Sequence, residues 1–144
     1  MNDQIKAIGA LDIVLTDIYG NVKEQIHVPN LVVTVGKNHI AARLGSSATA
    51  MSHMAIGSGA VAAAASDSAL GTELGRVALT STTVNTNVVT YVATFGAGVG
   101  TGAVTEAGLF NAASAGTLLC RTLFSVINKS ASDTLTINWN VTIS

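Results

Sequence analysis

Polar and apolar residues alternate most strictly between Thr134 and Ser144. Leu135, Ile137, Trp139, Val141 and Ile143 form one set; Thr134, Thr136, Asn138, Asn140, Thr142 and Ser144 form the other. A period of two puts one set on each face of a strand, so this segment is predicted to be a strand buried on one side. Leu11, Ile13 and Leu15 alternate with Asp12, Val14 and Thr16 in the same way. Gly20 and Asn21 follow and tolerate positive φ, so a turn is expected before a second strand, Val22 to Val28. Pairing Asp17 with Val22 sets Leu11, Ile13 and Leu15 opposite Val28, Ile26 and Glu24, which keeps apolar against apolar except at the turn. Pro29 has no amide proton and is expected to end that strand's ladder.

The apolar run Leu31 to Val35 predicts another strand. Ile40 and Leu44 are four apart and Gly45 is a stop signal, so a short helix is expected over Lys37 to Leu44. Met51 to Ile56 predicts a strand. The run Ala60-Val61-Ala62-Ala63-Ala64-Ala65 suits either helix or an extended connection, and Ser66 or Asp67 could cap a single helical turn towards Glu73. A second hairpin is expected from Arg76–Val84 and Val88–Phe95 around Asn85-Thr86-Asn87. With Val84 opposite Val88, Val77 and Leu79 face Phe95 and Ala93, and Ser81 faces Tyr91. A third hairpin joins Ala103–Phe110 to Thr117–Phe124 through Asn111–Gly116. It sets Leu109 opposite Leu118 and Glu106 opposite Arg121, a structural ion pair across the ladder.

About eight or nine short strands separated by turn signals predict an all-β fold, an antiparallel, jelly-roll-like β-sandwich with one short helix. No break in composition divides the chain, so residues 1–144 are expected to form one domain, with an N-terminal arm over residues 1–8.

Composition sharpens this picture. Charged residues make up 10 % of the 144 residues, against about 25 % in ordinary soluble domains. Thr, Ser and Asn therefore supply most of the polar surface. Such a surface is poorly protected against association, which predicts that much of it meets other protein. The formal net charge is -1, and Lys6, Lys23, Lys37, Arg43, Arg76, Arg121 and Lys129 are scattered. Neither nucleic acid nor an anionic membrane is an expected partner. The uncharged stretches Leu44–Ser66 and Val77–Thr105 are broken by polar residues and Gly, and neither reads as a spanning helix. The aromatic girdles of a membrane barrel are missing, and Met1 to Gln4 lacks the basic start of a signal peptide.

Little in the sequence points to chemistry. His27, His39 and His53 lack metal-ligand spacing to one another, to Cys or to carboxylates. The carboxylates fall mostly at turns or on solvent parities, with no sign of a facing catalytic pair. Gly57-Ser58-Gly59 lacks the spacing of a nucleophile elbow. Cys120 lies mid-strand beside Leu119, where a buried thiol is the default. Gly96 to Gly102 has alternate glycines but lacks the Rossmann spacing and the P-loop lysine, so a flexible surface loop is expected. No catalytic residue, cofactor or metal site is predicted.

Several stretches, taken in order, resemble a family of small structural proteins of tailed bacteriophages. They are Asn30–Val33 into Gly36-Lys37, Met51–Gly59, Ala65–Leu70 leading to Glu73 and Arg76–Leu79, Glu106–Asn111 with Cys120–Phe124, and the strand Asp133 to Ile143. The likeness spans roughly residues 10–144. It departs from the family at Ala60–Ala65, where turn-forming residues are more usual. Some similar proteins are head decoration, or cement, proteins with a jelly-roll-like fold; others are associated with tail fibres. The resemblance implies a virion protein on the outer surface of a phage head, assembled in the host bacterial cytoplasm. It would bridge neighbouring major capsid proteins, as a homo-oligomer on the particle. Loop chemistry nominates the contacts: Ile5 and Lys6 in the arm, Ser46 and Ser47 in the Ser46–Ala50 loop, and Gly98 and Gly100 in the glycine run. The alternative is a tail-fibre-associated, glycan-binding domain, which would need exposed aromatics.

Overall fold

A computed structural model describes residues 4–144. The strands are β1 (Ala7–Thr16), β2 (Val22–Val32), β3 (His53–Gly57), β4 (Glu73–Ala78), β5 (Ser81–Asn85), β6 (Val88–Phe95), β7 (Gly102–Phe110), β8 (Leu118–Lys129) and β9 (Thr134–Ile143). One helix, α1 (Thr34–Gly45), lies between β2 and β3. All pairings are antiparallel, in one sheet of order β4-β3-β7-β8-β2-β1-β9-β6-β5. The all-β architecture with a single short helix is as the sequence predicts. The two layers of the sandwich are two halves of one curled sheet, and β2 belongs to both.

The core lies between those halves. Leu11, Ile13 and Leu15 of β1, Ile137 and Trp139 of β9 and Phe95 of β6 share one buried cluster with Met54 and Ile56 of β3, Leu109 of β7 and Ile127 of β8. The alternating pattern builds it row by row. Leu11 stands between Val28 and Trp139, and Ile13 between Ile26 and Ile137. Each such side chain contributes about 1.5–3 kcal/mol on full burial.

The first hairpin keeps its predicted facing pairs, but Thr16, not Asp17, pairs with Val22 across an irregularity. Asp17 is released to accept the amides of Tyr19 and Asn21, each at 2.9 Å, and so closes the turn. Pro29 does not end its strand. Its carbonyl accepts a bond from Thr122 of β8, so its backbone faces away from β1 and the missing N–H removes no bond from that ladder. Beyond it, Leu31 and Val32 pair with β8. The strand expected over Leu31–Val35 is therefore the end of β2, and Thr34 and Val35 open α1.

The second hairpin is corrected further. Arg76–Ala78 belongs to β4 and pairs with β3, while Ser81–Asn85 pairs with β6. The chain crosses between the halves at Leu79 and Thr80. Asn85 faces Val88, which shortens the loop to Thr86-Asn87 and sets Thr82 opposite Tyr91. No helical turn forms after Asp67; residues 58–72 run without helix or strand to β4. In the third hairpin Leu109 faces Cys120, and Phe110 faces Leu118.

The N-terminal arm is shorter than expected. Lys6 exchanges two backbone bonds with Ser144 at 2.8 Å, and Ala7 and Ile8 are already in β1. Residues 1–3 of the arm lie outside the described residues.

Helix α1 is positioned by backbone contact. Its Gly36 is buried, and a Cβ there would collide with the Leu119 carbonyl oxygen. Gly45, at the other end, has open space around it. Gly36→Ala is expected to lower stability by roughly 1–3 kcal/mol, because the helix must move off β8. Gly45→Ala should leave stability unchanged or raise it by up to about 1 kcal/mol, since Ala has the better helix propensity. Chemical denaturation of both variants checks this; equal losses would mean that α1 is not seated on β8 by that contact.

Candidate functional site

The richest polar cluster sits on the outer side of the β7–β8 hairpin, under the segment 58–72. Glu106 of β7 is fully buried, and so is the Arg121 side chain beside it. Arg121 Nε donates to Glu106 Oε1 at 3.1 Å. The predicted pair forms, but not directly across the ladder. Gly108 is opposite Arg121 and Leu123 is opposite Glu106. The register is two residues from the expected one: Phe110 faces Leu118 at the turn, already one residue off, and the irregularity between Leu109 and Phe110 adds the second. An even slip preserves the face, so the side chains still meet, diagonally.

The rest of the cluster is mostly main chain from a distant segment, with the Asp67 carboxylate and the Thr105 hydroxyl. Glu106 accepts the amides of Gly59, of Gly71 at 2.7 Å and of Thr72 at 2.9 Å. Arg121 donates to Asp67 Oδ2 at 2.9 Å and to the Val61 carbonyl at 2.8 Å. Asp67 in turn accepts the Ala64 amide, and Thr105 donates to the Gly59 carbonyl. Glycine is required at 59, where a Cβ would collide with the Glu106 carboxylate. Burial alone would raise the Glu106 carboxyl, but the amides of Thr72 and Gly71, the Arg121 guanidinium and the Gly59 amide outweigh it and hold it below the ordinary value. Both oxygens have two donors each, the full capacity of a carboxylate. Nothing is left to take a proton from a substrate, so the cluster is a clasp that holds the alanine-rich segment. The sequence pattern shows Glu106 and Arg121; the amides and Asp67 that complete the cluster lie thirty or more residues away in a stretch without period.

A second buried carboxylate, Asp133, accepts Lys23 Nζ at 2.8 Å and the Ser130 amide at 2.9 Å, and these bonds pull its carboxyl down to about 2. Asp133 lies at the β8–β9 turn, as expected of a carboxylate, but is buried there. His27 bonds Asp12 at the surface at 2.7 Å, and His53 Nδ1 lies 2.8 Å from Ser52. Cys120 is buried, and burial pushes its thiol up. Among the described residues no group of three His, Cys, Asp or Glu could hold a metal ion, and no helix is long and apolar enough to cross a membrane.

The six nominated contacts do not share one surface. Val88 pairs with Thr142 and Phe95 with Leu135, so the two ends of β6 mark opposite ends of its half-sheet. Ile5 is exposed and Lys6 pairs beside Ser144, at the Val88 end. Ser46 and Ser47 are exposed, and Arg43 and Ala50 on either side of them line a cleft with Val84 and Val89, also at that end. The glycine run lies at the other end and is bolted down rather than flexible. Gly98 donates to Ala131, and the buried Lys129 donates to the Gly96 carbonyl at 2.8 Å. Gly98, Gly100 and Gly102 all take positive φ, which is why glycine recurs there. Gly100 is buried against Ile56 and cannot be a contact; Gly98 is exposed.

What sequence reasoning missed is a face. The outward side chains of β9, Thr136, Asn138, Asn140 and Thr142, stand between Thr94, Val92, Thr90 and Val88 of β6 and Val14, Asp12, Ala10 and Ile8 of β1. Asp12 is the one charge across these three strands, and it is paired with His27. The signal was the polar set of each alternating strand.

Comparison with known proteins finds no matching family model, curated protein or solved structure.

Two outcomes follow from these buried carboxylates. Arg121→Ala leaves the Glu106 charge buried without its cation and should lower stability by about 3–5 kcal/mol; denaturant melts showing no change would contradict the clasp. Glu106 and Asp133 both have lowered carboxyl pKa values. Their stabilisation is complete above the ordinary carboxylate range, about pH 4, and is lost as pH falls through their folded values. Tm should be flat down to about pH 5 and drop below it, with a shallower acid drop in Asp133→Asn.

Proposed function

We propose that this chain is a structural protein of a bacteriophage particle, a head decoration or cement protein that binds the outer capsid surface and bridges neighbouring major capsid proteins. The observation that carries this reading is the face built by β6, β9 and β1. It is broad, almost free of charge, and composed of Thr, Asn, Val, Ile and Ala. Such a face suits broad contact with another protein, and its low charge makes binding depend on shape and buried area. Repetition at many symmetry-related positions would multiply a modest single contact through avidity. The resemblance of the sequence to small virion proteins supplies the partner. The buried acid groups support it indirectly, since each is consumed in holding the fold.

The tail-fibre reading, with glycan binding, has less support. Sugar stacking needs accessible aromatic rings, and Tyr91, Phe95, Phe110, Phe124 and Trp139 are all buried. Tyr19, at the tip of the β1–β2 turn, is the exposed one.

Particles assembled without the protein, mixed with it and imaged, test the proposal. Density on the head at junctions between capsid proteins is the expected result. Asn138→Lys should abolish that density while leaving Tm within about 1 °C, because an isolated surface substitution changes stability little. Density confined to the tail would move the assignment to the fibre reading, and absence of binding would remove the virion assignment.

A further inference from the structure

The curled sheet ends in two strands, β4 and β5, and they are finished differently. β4 carries charge at Glu73 and Arg76, and its pairing with β3 is irregular near Glu73. The stretch of β2 that β8 leaves unpaired carries Lys23, Glu24 and His27. Inward charge, cover and bulges are the usual protections of a free edge. β5 has none of them. Its residues Ser81-Thr82-Thr83-Val84-Asn85 are all exposed and uncharged, and among the described residues nothing pairs with its outer side.

A second observation lies beside it. The inner side of β5, with Thr82 and Val84, forms one wall of a cleft of about 240 Å³ whose other walls include Ile40, Met51, Val89 and Tyr91. Val84 is 70 % exposed, an unusual position for a β-branched residue next to an apolar cleft.

We infer that β5 is a pairing edge for a second copy of this chain, joined antiparallel about a two-fold axis through Thr83. The register is self-complementary. Thr83 faces Thr83 of the second copy, Thr82 faces its Val84, and Ser81 faces its Asn85. No like charges meet, and Thr–Thr pairs are favourable across a ladder. Each Val84 then lies on the inner side, opposite Thr82 of the other copy and over that copy's cleft, so two exposed valines are covered at once. The main chain supplies the bonds, as in other cases of strand addition. A five-residue edge is smaller than the roughly 1,200 Å² of a standard stable interface, so the dimer is weak in dilute solution. The inference stands apart from the virion assignment, because it uses only the edge and the cleft.

Cysteine trapping tests it on the full chain. Across an antiparallel pair facing Cα atoms are roughly 4.5–5.5 Å apart, within disulfide reach. Thr83→Cys should therefore oxidise to a covalent dimer. In Ser81→Cys the two sulfur-bearing residues would stand roughly 14 Å apart along the strands, and that variant should stay monomeric. The native Cys120 is buried and does not compete. Sedimentation at rising concentration should show wild-type dimers that Thr83→Lys removes, because two like charges then face each other. Equal cross-linking of the two cysteine variants, dimers that survive Thr83→Lys, or a wild-type protein monomeric at every concentration would each overturn the inference.

Discussion

Glu106 holds a negative charge where no water reaches, and the outer layer of one half-sheet is arranged to neutralise it. An isolated buried carboxylate costs several kcal/mol in desolvation even after relaxation. Here Arg121 supplies the opposite charge and Gly59, Gly71 and Thr72 supply amides, so the charge fixes the two ends of one segment at one point. That segment has no periodic pattern and few side chains larger than alanine. Arg121 reaches its middle through Asp67 and Val61. What an apolar face does for β9, a single ion pair does for residues 58–72. Leu70 can then pack on Phe110 and Leu118, in a small second core behind the sheet.

The same economy of charge shapes the rest of the molecule. With so few charged residues, those that are buried are spent on internal joints. Lys129 and Asp133 tie down the loops at one end, and Arg76 lies over the Phe110 ring at 3.8 Å while bonding the carbonyls of Ala112 and Ala115. The outward face of β6 and β9 and the β5 edge are left to Thr, Asn, Ser and Val. Surfaces of that kind bind through area and main-chain bonds, which is the common ground of the cement proposal and the edge-pairing inference.

Strand periodicity was readable because it is local. The facing of Leu11, Ile13 and Leu15 and the half-buried β9 follow from spacing alone, whereas α1 starts at Thr34 and leaves Leu44, half of the expected Ile40–Leu44 pair, exposed. Errors arose where a long-range contact decides. Pro29 stays within β2 because β8 arrives on its other side. Arg76–Ala78 leaves the second hairpin because β3 competes for it. The glycine run is anchored by the Ala131 carbonyl and the Lys129 ammonium, contacts that no window of residues contains. For the site, Glu106 and Arg121 were visible as opposite charges of matching parity. Their amide partners were not, since a backbone N–H is the same at every position and only the fold selects which ones point inward.

The Glu106–Arg121 pair orders a segment that has no secondary structure of its own. Native-state hydrogen exchange of the Gly59, Gly71 and Thr72 amides reads this directly. If Glu106 holds them, they exchange as slowly as ladder amides of β7 and β8, although they lie outside any strand. Exchange at the rate of an open loop would contradict the claim, and would mean that residues 58–72 are held by something other than the clasp.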